Sequence, residues 1–148
     1  MSKPIAYCIL IVSAALVVVL AVCAPGLLSD QNEFLKGFVG DGLLDVLGVI
    51  LAITLASAGQ LHLTLNQIEE KHKRHIFARM RGGIKTAATA LIILFVVAVT
   101  VVAAKPLCAK TLALQSLFNG AGLFVLLWNV LLLVSLTQGI FAIKSEID

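Results

Sequence analysis

The sequence predicts an all-α integral membrane protein with four transmembrane helices, both termini cytoplasmic and a homo-oligomeric helical bundle as the assembled form. Three observations carry this reading. Four apolar runs, at residues 5–24, 43–65, 86–104 and 117–143, fill most of the 148 residues, and each is about as long as the ~20 residues a helix needs to cross a ~30 Å hydrocarbon layer. The composition is 60% hydrophobic with a mean hydropathy of +1.07, far above the roughly 45–50% apolar usage of soluble domains. Basic residues are also segregated: Lys71, Lys73, Arg74, Arg79, Arg81 and Lys85 lie between the second and third runs, on the same predicted side as Lys3 and Lys144, against Lys36, Lys105 and Lys110 on the other. Lys and Arg favour short cytoplasmic loops, so the basic side is expected to face the cytoplasm.

The first run is longer than the roughly 7–15 residues of a signal-peptide core, so it is expected to remain as a span, closed by Pro25-Gly26. Residues 27–42 carry Asp30, Glu33 and Asp41 against a single Lys36. This acidic outer loop is expected to hold a short interfacial helix, with Asp30 as its cap and Glu33 completing a capping box. The second run continues at helical spacing through Leu61, Leu65, Ile68, His72 and Ile76, which predicts a helix projecting beyond the membrane and supported by a Glu69 to Lys73 pair. Gly82-Gly83 is expected to break the chain for its reversal into the third run, and Lys105-Pro106 to end that run. The fourth run is the longest and must tilt or protrude. No repeat relates the two halves, which counts against an inverted-repeat transporter.

Polar residues inside the runs are the candidate site. Asp45 reads either as an interfacial residue favoured by a helix amino terminus or as an ionisable group at the mouth of a polar path. On the same run Gly48, Ala52, Ala56 and Gly59 form a small-residue row of the kind that lets helices approach closely in lipid. On the fourth run Asn119, Gly122, Leu126, Asn129, Leu133, Leu136 and Ile140 make one seam. Asn119, Asn129 and, on a neighbouring stripe, Gln138 are candidates for interhelical hydrogen bonds or for a polar pore lining. Trp128 is too central for an interfacial belt and is expected inside a bundle. Lys71, Lys73, Arg74, Arg79, Arg81 and Lys85 are candidates for contact with a soluble cytoplasmic partner across residues 66–85, or with lipid headgroups.

Several chemistries find no support. His62, His72 and His75 lack the ligand spacing of a metal site, no cofactor motif occurs, and a net charge of +3 is too small to argue for nucleic acid. Cys8, Cys23 and Cys108 form no CxxC pair, although Cys23 and Cys108 share one side and are read as either bridged or free. Asp45 has no second carboxylate and no Ser–His pair lies at one depth, so an enzyme is not expected. The remaining classes are a small oligomeric channel, pore or membrane-perturbing effector gated by a cytoplasmic partner, and, as alternatives, a small transporter subunit or a membrane scaffold or assembly protein.

The four short spans, cytoplasmic termini, Asp41-Gly42-Leu43 entering the second span, basic central link and short polar tail resemble the RexB-type phage-exclusion membrane proteins and other small antiphage membrane subunits. The resemblance implies an ion-conducting assembly that depolarises the bacterial inner membrane after a phage-triggered signal. It transfers no functional residue.

Overall fold

The computed structural model describes the backbone of residues 3–72 and 78–147, and side chains for residues 4–67, 69 and 81–138. Among the described residues every regular element is helical: α1 (Lys3–Cys23), α2 (Pro25–Leu28), α3 (Glu33–Gly37), α4 (Leu43–His72), α5 (Ala78–Cys108) and α6 (Leu112–Ile147). Four stretches, Pro4–Cys23, Glu33–Gln67, Arg81–Cys108 and Leu112–Gln138, are long and apolar enough to span a membrane. Their outer faces agree with that solvent. Ile11, Val22, Val49, Ile53, Ile93 and Leu107 are among many large apolar side chains left open, a surface tolerated by lipid but not by water.

α6 is the hub of the packing. It lies against α1, α2 and α5, while α4 packs mainly on α5 and reaches α6 through fewer contacts. Two glycines explain how close these approaches are. A Cβ built on Gly120 would clash with Val17 Cγ1 of α1, and one on Gly122 would lie 2.7 Å from Val39 Cγ1. Two residues apart on a helix is about 200° of rotation, so α6 is pinched from opposite faces at one level. The core gathers beside Gly122, where Leu35, Val39, Leu43, Leu47, Leu94, Ala98 and Val125 bury one another. Along the predicted α6 seam Asn119, Gly122 and Asn129 are buried and Leu126, Leu133 and Leu136 are half-buried, while Ile140 lies outside the described side chains.

Between α3 and α4 the chain passes through residues Phe38–Gly42, where Val39 (φ −82°, ψ 66°) and Gly40 (φ −166°, ψ −127°) leave helical geometry. Glycine clusters are common sites of such kinks. The kink redirects the chain from the surface helix α3 into the span, and takes the Val39 carbonyl out of the helical ladder.

Several sequence expectations are corrected. Gly82-Gly83 does not break the chain; both residues lie inside α5. A Gly costs about 1 kcal/mol in a helix, less than the backbone desolvation that a break near lipid would impose. Pro106 likewise falls inside α5, which runs on to Cys108. Proline's fixed φ suits a helix, and the turn closes through the Ala109 N–H to the Lys105 carbonyl at 2.9 Å. The cap of α3 is Asn32, whose Oδ1 accepts from Phe34 N at 3.1 Å and Leu35 N at 3.4 Å; Asp30 is engaged elsewhere. Trp128 is 40% exposed and stands edge-on to Phe124, because no neighbouring helix covers that side of α6. Beyond these corrections, Glu69 pairs with Arg81; the expected pair with Lys73 lies outside the described residues, as do Arg74, His75 and Ile76. α4 does extend as predicted, to His72.

Candidate functional site

Polar side chains gather at three levels. The first is the acidic end, where α2, α3, the carboxyl end of α5 and the start of α6 meet. Thr111 precedes α6 and caps it, its Oγ1 accepting from Leu114 N at 3.3 Å, and this setting places Ser116 and Asn119 one turn apart, both buried. Asn119 Nδ2 donates to the Leu28 carbonyl at 2.7 Å and to Asp30 Oδ1 at 3.0 Å. The Lys105 ammonium sits 2.8 Å from the same Asp30 oxygen and donates to the Val39 carbonyl at 3.2 Å, satisfying the group released by the kink. Burial alone would raise the Asp30 carboxyl, but hydrogen bonds from Lys105 and Asn119, and the charges of Lys105 and Lys36, outweigh it and hold the group below its ordinary value of 3.8. One lysine and one amide thus fasten the entire 28–39 segment to α5 and α6.

The second level is a cavity of about 330 Å³ among α4, α5 and α6, lined by Ile53, Thr54, Ser57, Ala58 and Leu61 on α4, Ile84 on α5 and Leu133, Leu136 and Thr137 on α6. Ile53, Ser57 and Thr137 are exposed, so the cavity opens on the side between α4 and α6. Thr137 donates to the Leu133 carbonyl, as Thr64, Thr86, Thr89 and Thr100 do to the carbonyl four residues earlier. Asn129, one turn before Leu133 on the α6 seam, is 1% exposed, and its Oδ1 has no hydrogen-bond partner among the described residues.

The third level is the basic end, where Glu69 of α4, 7% exposed, pairs with Arg81 of α5. Arg81 is therefore a tie between helices, and stands apart from the exposed Lys85 with which it was grouped in sequence. Lys71, Lys73, Arg74 and Arg79 lie outside the described side chains.

The other sequence candidates are dispersed. Asp45 is exposed in the first turn of α4. Gly48 faces Phe95 of α5, whose Cε2 would be 3.7 Å from an added Cβ, whereas nothing lies within 4 Å of Gly59. Ala52 and Ala56 are exposed, so most of the small-residue row finds no partner among the described residues. Gln138 is exposed on α6. Asn119 belongs to the acidic-end cluster, far along α6 from Gln138, so the four polar candidates do not line one path within a single chain. Cys8, Cys23 and Cys108 are free and exposed. Among the described residues no group of His, Cys, Asp or Glu could hold a metal.

Sequence reasoning passed over Lys105, Thr54 and Ser57, and gave Asp30 a different role. For Lys105 a signal existed: a lysine set between an apolar run and a proline, opposite an acidic loop. Comparison with protein-family models, with characterised proteins and with solved structures finds no match to this chain.

Proposed function

We propose that the protein is a subunit of a small homo-oligomeric membrane channel or membrane-perturbing effector, with its basic end in the cytoplasm of a bacterium and open to control by a soluble partner there. One observation carries the reading: Ala52, Ala56 and Gly59 present a small-residue face of α4 that no described residue covers. Small residues serve close helix packing in lipid, where hydrophobicity supplies no association force. A row of them facing outward suits a helix of a second copy. Because Asp45, Asn129 and Gln138 do not converge within one chain, a polar path would require several subunits, and conduction is the activity such an assembly performs with few polar groups. The resemblance to RexB-type proteins adds the antiphage setting, in which depolarisation of the inner membrane is the outcome.

The test joins mass to conductance. Protein reconstituted in lipid nanodiscs should have the mass of an oligomer, and Ala52→Leu should shift it toward monomer more than Leu51→Ala does. Planar bilayers containing the wild type should carry discrete currents that Ala52→Leu abolishes. A monomer without currents would overturn the reading; an oligomer without currents would leave only a scaffold.

A further inference from the structure

We propose that Phe38–Gly42 is a two-state hinge with Lys105 as its latch: while Lys105 is paired with Asp30 the hinge stays kinked, and once that pair is broken α3 and α4 close into one continuous helix. The hydrogen bonds around the kink define both states. In a regular helix the Leu43 N–H would donate to the carbonyl four residues earlier, that of Val39; here it is shared between the carbonyls of Gly40 and Phe38. The Val39 carbonyl is taken instead by the Lys105 ammonium at 3.2 Å. Val39 is buried, so its carbonyl needs a donor, and the lysine is what keeps it out of the ladder.

The straight state is a short step away. Within the hinge Val39 and Gly40 alone leave helical geometry, and Gly37 before it and Leu43 after it are already helical. The apolar stretch that enters α4 begins at Glu33. Leu35, Val39, Leu43 and Leu47, which share the core, follow one another at steps of four, the spacing of one ridge on a continuous helix. Gly40 weighs on the other side, since glycine is a poor helix former.

Protonation of Asp30 is the release. The Lys105 side chain is 11% exposed, and its charge is offset there by the Asp30 carboxylate at 2.8 Å. With Asp30 neutral, the ammonium would be a buried charge without a counter-ion, which is costly, and a lysine in the last turn of α5 can swing its head to water or headgroups. Leu43 N–H then becomes the donor for the Val39 carbonyl. Among the described residues the charges that face Asp30 are Lys105 of α5 and Lys36 of α3, α6 brings the neutral Asn119 amide, and α2 carries no charge. Both cations favour the carboxylate, so release requires acid. The hinge would work in this way whether or not an assembly conducts.

The experiment measures one distance in the full chain in lipid nanodiscs. Cys8, Cys23 and Cys108 are replaced by alanine, spin labels are placed through Glu33→Cys and Ile53→Cys, both at exposed positions, and pulsed electron paramagnetic resonance reads their separation. On one continuous helix the two positions stand about 30 Å apart along the axis, and a kinked chain brings them closer. With Lys105 and Asp30 intact, the distance at pH 7 should be the shorter one. Lys105→Met should move the main population to the long distance with helical circular dichroism undiminished. Gly40→Ala, whose Cβ would meet nothing within 4 Å, should enlarge the long-distance population at pH 7. Acidification to about pH 3 should do the same with the latch intact, and Asp30→Asn should show at pH 7 the share otherwise reached only in acid. A long distance already present at pH 7 with the latch intact, an unchanged distance in Lys105→Met and Gly40→Ala, or a broad spread of short distances in Lys105→Met, as from a segment merely let go, would each overturn the hinge. Straightening by Lys105→Met without any response to acid would overturn Asp30 as its release.

Discussion

Lys105 and Asp30 are joined across the acidic end at 2.8 Å, and the same ammonium holds the Val39 carbonyl. A single side chain from the last turn of α5 therefore secures both the approach to α3 and the kink that launches α4.

Removing that ammonium should cost more than removing the pair. With Lys105→Met the Asp30 carboxylate and the Val39 carbonyl lose their donor, a loss of about 1–3 kcal/mol for a partly buried pair. Asp30→Asn combined with Lys105→Met should recover part of it, since no lone charge remains. Unfolding by sodium dodecyl sulfate in mixed micelles measures both, and equal stabilities for the single and double variants would separate the pair from the fold.

Acid should act on the same contact. A carboxyl whose folded value lies below its unfolded one contributes stability that is complete above the unfolded value and lost as pH falls through the folded one. Attachment of the 28–39 segment should therefore be constant at neutral pH and weaken only on acidification from about pH 4 downward. Asp30→Asn should be less stable at pH 7 and lack that acid-labile component. Micellar unfolding at a series of pH values distinguishes the two profiles.

Gly120→Ala should force α1 off α6, because its Cβ would clash with Val17 Cγ1 and a β-branched side chain has little freedom to yield. Overpacking of this kind costs about 1–3 kcal/mol. Adding Val17→Ala removes the obstructing methyl groups and should return much of the loss, which a cysteine cross-linking rate between α1 and α6 would report directly. Gly59→Ala, with nothing near its Cβ, should not alter that rate.

At the basic end Arg81→Gln should destabilise the junction of α4 and α5 by about 1–3 kcal/mol, the loss of a charge-assisted contact between the two helices. Lys85→Gln, at an exposed position, should change stability by less than about 0.5 kcal/mol. Hydrogen exchange along 61–69 would show the first and not the second.

The spans were legible because lipid imposes a length on each apolar run, and the buried seam through Asn119, Gly122 and Asn129 because helical periodicity is a local property. Breakers were read too strongly. Gly82-Gly83 and Pro106 are penalties of a few kcal/mol at most, and a helix near lipid has stronger reasons to continue. The acidic-end cluster was hidden for a different reason: Asp30, Lys105 and Asn119 come from three separate elements, and nothing in local spacing says which of several polar residues will meet. The same holds for Glu69 and Arg81, which come from different helices.

The pinching of α6 by Val17 and Val39 also bears on how the protein is made. Among the long helices α1 packs chiefly on α6, so α1 must wait for the later synthesis of α6 before it can dock. During that interval α1 is held by lipid alone, beside a half-assembled α4 and α5. Any factor that chaperones this protein into the bilayer would have its opportunity then, and a nascent chain arrested before α6 would expose the Val17 face that Gly120 later covers.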